Sequence, residues 1–157
     1  MRRQTAFTLF EVILAVFIGV LIFAFAIPSV EGFFKEQRLR RSFDGFDELV
    51  GEAHRLSVTE RRAFLLVWEK EGILLRPELP KTKDEEAGIS MIEAREGESY
   101  AISFPAALVK DPPREWVFWP SGNCEPAKIT YQGAIGSWTA SYDPLTTRVT
   151  EFENAAR

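Results

Sequence analysis

The sequence predicts an α+β protein in which one long N-terminal helix, apolar in its first half and amphipathic in its second, packs on an antiparallel β-sheet domain. Three observations point there. Nineteen residues, Val12 to Val30, carry no charge. Beyond Glu31, apolar residues recur at helical spacing as far as about Ser57. From Ala63 the apolar period shortens to two, and turn residues interrupt the chain at short intervals.

The uncharged run is filled on all faces by Ala, Leu, Ile, Phe and Val, as a helix buried on every side would be. At 1.5 Å per residue it spans roughly 28 Å, close to the ~30 Å hydrocarbon core of a bilayer. Arg2 and Arg3 precede it, so the positive-inside rule leaves the N-terminus in the cytoplasm and Glu31 onward outside. Gly19 is tolerable in a membrane helix, and Pro28 removes a backbone donor and should bend or locally break it.

The helix then becomes amphipathic. Leu39, Phe43, Phe46, Val50 and Ala53 form one stripe, with Arg40, Arg41, Asp44, Asp47, Glu48 and Glu52 on other faces. Ala63 to Glu69 and Ile73 to Arg76 read as a hairpin about Lys70-Glu71-Gly72. Lys81 to Gly88 is charged without an apolar pattern and reads as a mobile loop. Ile89 to Ala94 and Tyr100 to Phe104 flank Glu96-Gly97-Glu98 as a second hairpin. Pro105 closes it, and Pro112-Pro113 marks a connection. Trp116 to Trp119, Lys128 to Tyr131, Trp138 to Tyr142 and Arg148 to Phe152 complete the strands, separated by turn chemistry. Trp68, Phe104, Phe118, Trp138 and Tyr142 are expected to pack against the helix stripe; an aromatic platform for a ligand is the alternative use of such residues.

The division expected is 1–6, 7–30 and 31–157, the last holding the amphipathic helix half (about 31–57) and a β-rich region (about 63–153). The chain is acidic, with a net charge of −4, and remains acidic once Arg2, Arg3 and Glu11 are set aside. A nucleic-acid partner is therefore not expected. Arg38, Arg40, Arg41 and Arg61, Arg62 read as solvated helix charges. Cys124 is the single cysteine, which excludes an intramolecular disulfide; lying in a Pro/Ser/Gly/Asn loop, it is expected to be structural or incidental.

Catalytic chemistry is sparse. His54 is the one histidine and reads as a surface or boundary residue of the helix, without a nucleophile placed beside it. One His and one Cys do not make a typical zinc site, and no phosphate-cradling glycine loop or calcium loop is present. Asp84-Glu85-Glu86 lie in the charged loop, where solvation leaves them untuned. No enzyme activity, metal or cofactor is expected.

The informative residue is Glu11, an ionisable group at the edge of the apolar run, expensive there unless something pairs with it. A cut before Phe7 would place a new amine four residues away. Arg2-Arg3-Gln4-Thr5-Ala6 followed by Phe7-Thr8-Leu9-Phe10-Glu11 resembles the processing motif of type IV prepilins and type II secretion pseudopilins. The resemblance implies a pilin-like fold and cleavage of the 1–6 leader between Ala6 and Phe7 by the prepilin peptidase. It further implies N-methylation of Phe7, Glu11 as the assembly glutamate, and a helix kink at Pro28. Ala6 departs from the glycine usual before the cut. A secretory signal peptide is the rival reading, with Ala24-Phe25-Ala26 as its cut site and Ile27 as the new terminus.

The later chain resembles the GspH/FimT class of minor pseudopilins and minor pilins in its Phe64 to Leu75 hairpin, its Phe118-Trp119-Pro120-Ser121-Gly122 turn and its Thr147-Arg148-Val149 strand. That class commonly has glycine where Thr147 stands. The function so implied is that of a minor pseudopilin of a type II secretion system, helping to export folded proteins. Its setting would be the bacterial inner membrane, single-pass, with the C-terminal domain periplasmic and incorporated into a filament. The implied partners are other pseudopilins or pilins through the N-terminal helix, the prepilin peptidase, the inner-membrane assembly platform, and membrane lipid before assembly. A minor pilin of a type IV pilus or DNA-uptake system, with a basic edge of Arg61, Arg62 and Lys128, is one alternative. A membrane-tethered ligand-binding module is another.

Overall fold

The computed structural model describes residues 8–107 and 114–156, the side chains of 24–33 and 156 excepted. Its architecture is the predicted α+β arrangement, a long N-terminal helix packed on antiparallel β-structure. Helix α1 runs Leu9–Glu60. It passes Ser57, where the sequence pattern placed its end. Ser57 is fully buried, and its hydroxyl donates to the His54 carbonyl at 2.8 Å, so the helix satisfies the polar side chain and continues. Arg61, left-handed at φ 52, ends it.

Eight strands follow: β1 Phe64–Trp68, β2 Gly72–Pro77, β3 Ser90–Glu93, β4 Ser99–Ser103, β5 Glu115–Phe118, β6 Ala127–Gly133, β7 Gly136–Tyr142 and β8 Val149–Ala156. A short helix, α2 Lys83–Ala87, lies between β2 and β3. The strands form two four-stranded antiparallel sheets, ordered β3-β2-β1-β5 and β4-β6-β7-β8, rather than one. The first hairpin is as predicted, with Phe64 opposite Pro77 and Trp68 opposite Ile73. The second is not a hairpin. β3 pairs with β2 and β4 pairs with β6, so Glu96-Gly97-Glu98 carries the chain from one sheet to the other. Alternating apolar residues fix which face is inward but not which strand lies alongside, and here two longer partners compete successfully for the short strands. The connection at Pro112-Pro113 lies outside the described residues.

Helix α1 bridges the sheets. Leu39, Phe46, Leu49, Val50 and Ala53 are buried, which is the predicted stripe with Leu49 added and Phe43 at its edge. The Phe46 ring lies 6.4 Å from Trp68 of the first sheet and 5.6 Å from Trp138 of the second. Polar contacts fix the helix on β7: the Trp138 indole donates to Ser42 at 2.9 Å, and the Tyr142 hydroxyl donates to Asp47 at 3.0 Å. Phe118, Trp138 and Tyr142 are buried, and Trp68 and Phe104 pack at the margin of the same core.

Candidate functional site

The start of α1 is built by Thr8 and Glu11. Thr8 is the N-cap, extended at φ −77 and ψ 149, and its hydroxyl accepts from the Glu11 backbone N–H at 3.3 Å. In return Glu11 Oε2 accepts from the Thr8 backbone N–H at 3.2 Å and from its hydroxyl at 3.3 Å. This reciprocal capping box satisfies helix-start donors that have no intrahelical partner. It also gives Glu11 a local role that the sequence reading overlooked, although Thr8-Leu9-Phe10-Glu11 spells the pattern. Both bonds use Oε2; Oε1 has no hydrogen-bond partner among the described residues.

Every residue from Thr8 to Phe23 is exposed in the lone chain, so no face of this apolar helix is covered by the domain. Phe10 is 73% exposed and Phe23 75%, values that in water leave large aromatic surfaces bare. Among the described residues no helix is long and apolar enough to cross a membrane. The uncharged run continues into 24–33, whose side chains are not described. Ala6 and Phe7 lie outside the described residues. The helix assignment passes through Pro28 unbroken, and the bend expected there falls within 24–33.

Further along, α1 positions two other sequence-flagged groups. His54 Nε2 lies 3.1 Å from the Gly122 carbonyl, which can only accept, so the proton belongs on Nε2. His54 is thus a half-buried boundary residue holding the 119–124 loop to the helix. Gly122 has φ +83, and a Cβ there would come within 3.3 Å of the imidazole, so the loop needs glycine at this approach. Cys124 is a free, buried thiol beside the Asp143 carbonyl. Burial, with Asp143 adding to it, pushes its pKa up to about 12, leaving it a protonated, unreactive group.

Two expectations about charge are corrected. Lys81 to Gly88 contains helix α2, capped by Thr82, whose hydroxyl accepts from the Glu85 N–H at 3.2 Å. Glu85 is not merely solvated. Arg62 Nη1 and Nη2 donate to its two oxygens at 2.9 and 2.7 Å, and the Lys81 N–H adds a third bond at 2.7 Å. Those bonds, the Arg62 pair first, hold the Glu85 pKa at about 2. Arg62 is correspondingly not a free helix charge. It also binds Glu60 and lies over the Phe64 ring, 5.1 Å from its centroid. A basic edge that included it would have to break this network.

Between α1 and the two sheets lies a cleft of about 710 Å³. Arg38, Arg41 and Arg95 line it together with Glu96, Glu98 and Tyr100. Its mixed charge gives it no single-sign field. Among the described residues no group of three His, Cys, Asp or Glu could hold a metal ion.

No family model matches the chain, and no curated protein matches it. Among solved structures it is similar to the minor pseudopilin EpsH from the type 2 secretion system of Vibrio cholerae. The TM-score is 0.49 and the identity 10%, over 75% of this chain and 96% of that one. A likeness at that level carries no inference about activity or partners.

Proposed function

We propose that this chain is a filament subunit, a minor pseudopilin of a type II secretion system or a near relative, which works by assembly rather than by turnover of a substrate. One observation carries the reading: an apolar helix segment, exposed on every side from Leu9 to Phe23, whose one charge is Glu11 in its first turn. Bare apolar helix needs a membrane before assembly and other such helices after it.

In this reading residues 1–6 are removed between Ala6 and Phe7, the Phe7 amine is methylated, and 7–30 anchors the subunit in the inner membrane with 31–157 in the periplasm. Within the filament Glu11 would be a buried charge, and an unpaired one costs several kcal/mol, about 3–5 where a buried pair is broken. The Phe7 amine of an adjacent subunit neutralises it and fixes the axial offset between subunits. The prepilin peptidase, the assembly platform and neighbouring pilin-type helices are the partners so implied.

The capping box makes a sharper experiment possible than deletion of the side chain. Glu11→Gln keeps a capping box, because glutamine serves at that position, but removes the charge. Thr8→Ala removes the cap, at a cost of about 1 kcal/mol to the helix start, but keeps the charge. With full-length protein in membranes, Glu11→Gln should insert normally and fail to enter filaments, while Thr8→Ala should still enter them. Normal incorporation of Glu11→Gln would leave capping as the whole explanation of Glu11 and end its role as the assembly charge; a parent chain that never enters filaments would end the filament reading.

The cleft under α1 favours a second reading, a membrane-tethered ligand-binding module. Normal secretion and normal pili in a deletion strain would select it. A minor pilin of a type IV pilus shares the N-terminal physics. Its DNA-uptake form is disfavoured by the acidic balance and by the engagement of Arg62 with Glu60 and Glu85.

A further inference from the structure

The cleft under α1 collects unpaired charge of both signs. Arg38 and Arg41 line it from the helix, and Arg95 from the crossing between the sheets. Glu93 and Glu96 border the same space. Among the described residues none of these side chains has an ion-pair or hydrogen-bond partner. Glu98 differs, since its Oε2 accepts from the Arg95 backbone N–H at 3.2 Å. The arginines and the two free carboxylates thus share one cleft without neutralising each other. A ligand of a single charge would be repelled by part of this lining. A ligand that joins an anion to a cation by a short link finds a partner for each. Guanidinium forks suit phosphate oxygens, and carboxylates accept from an ammonium. Gly45, also in the lining, leaves room beside the helix: a Cβ built there would meet nothing within 4 Å.

The position of the cleft narrows the ligand further. Leu39 is the first buried residue of α1 among those described, so Arg38 and Arg41 stand where the helix enters the domain. Arg38 lies eight residues beyond Val30, the end of the uncharged run, or about 12 Å along an unbroken helix. The headgroup layer of a bilayer takes up about 5–7 Å of that distance. Long cationic side chains reach back across much of the rest.

We propose that this cleft takes the headgroup of a phospholipid bearing a primary amine, drawn from the leaflet that α1 leaves. The arginines hold its phosphate, and Glu93 and Glu96 accept from its ammonium. A choline-type headgroup has the same charges but no N–H to donate, so the site distinguishes the two. Bound there, the headgroup seats the domain on the membrane surface. This rests on the membrane anchor proposed for 7–30 and applies to the subunit before it enters a filament.

The test places the full-length chain in lipid nanodiscs of phosphatidylethanolamine with phosphatidylglycerol, of phosphatidylcholine with phosphatidylglycerol, and of phosphatidylglycerol alone. Amide exchange is read in 94–98, the segment that brings Arg95 and Glu96 to the cleft. Protection there should be about tenfold higher in the ethanolamine discs than in the others, the scale of one good charged contact. Arg38→Gln with Arg41→Gln should erase the difference, and so should Glu93→Gln with Glu96→Gln, while the strands keep their protection. Equal protection in the ethanolamine and choline discs, or a difference that survives both pairs of substitutions, would overturn the proposal. So would a response to soluble glycerophosphoethanolamine but none to the lipid itself, which would make the ligand a free solute. Exchange in 9–23 separates this from the underlying reading. If 9–23 exchange freely in every disc, the membrane anchor fails and the headgroup site with it. If they are protected while 94–98 respond to no lipid, only the headgroup site fails.

Discussion

Thr147 shows how a single residue departs from what its position favours. It has φ 53, in the left-handed region where a β-branched side chain is crowded, in the turn between β7 and β8. The turn holds it there. Asp143 Oδ1 accepts from the Leu145 and Thr146 N–H groups at 3.0 and 2.8 Å, and the Thr147 N–H returns to the Asp143 carbonyl at 2.9 Å. Thr147→Gly should stabilise the protein by about 1 kcal/mol, the left-handed penalty less the entropy cost of glycine. Thr147→Ala, which keeps the Cβ, should show no such gain; equal denaturant midpoints for the Gly variant and the parent would show that the turn carries no strain. The sequence already pointed here, because Thr147 stands where the resembling class commonly has glycine. Glu11 was legible in the same partial way. Its position at the apolar edge marks its charge, whereas its capping role depends on the threonine three residues earlier, whose hydroxyl takes the Glu11 N–H. Glu85 was misread for a different reason. Its partner Arg62 lies 23 residues away, and no local pattern announces a pair formed by folding.

At the scale of elements, local periodicity was a good guide to which segments are strands and a poor guide to what they pair with. The β1–β2 hairpin is fixed by a short turn and was read correctly, whereas β3 and β4 part company across an equally turn-like Glu96-Gly97-Glu98. Helix α2 was missed because five charged and small residues make no apolar stripe; it exists where Thr82 caps it and Arg62 holds its side chain. This attachment has a pH signature. Glu85 titrates at about 2 in the folded protein against an ordinary 4.5, so its contribution is complete above 4.5 and is lost as the pH falls toward 2. Arg62 is shifted the other way, chiefly by its bond to Glu85, and stays charged throughout. Acid should therefore loosen α2 from the end of α1. Amide protection in 81–88, measured against the intrinsic exchange rate at each pH, is expected to fall between pH 4.5 and 2 in the parent chain, and to be already low at pH 7 in Arg62→Ala. Exchange in Arg62→Ala that matched the parent at pH 7 would assign the order of α2 to its cap alone.

For the whole molecule, the division into two sheets was not legible, because strand patterns alone do not count sheets. Helix α1 joins them through Phe46, which touches both, and Trp116 of the first sheet also meets Tyr142 of the second directly, 5.1 Å between ring centroids. The Phe46 ring approaches Trp68 on one side and Tyr100, Trp138 and Tyr142 on the other, at centroid distances of 6.4, 6.1, 5.6 and 6.1 Å, and it is fully buried. Truncating a buried Phe removes its transfer energy and leaves a cavity, together about 3–5 kcal/mol, a large share of the 5–15 kcal/mol that holds a domain folded. Phe46→Ala should lower stability by that amount. Because the lost contacts belong to both sheets, hydrogen-exchange protection should fall in β1 and β7 together, with one shared unfolding transition. Phe43→Ala is the contrast. Phe43 lies 5.4 Å from Trp138 and 4.4 Å from Phe152, both in the second sheet, so its loss should weaken β7 and β8 before β1. If Phe46→Ala instead left β1 fully protected while β7 opened, α1 would be a helix resting on one sheet with the other merely adjacent.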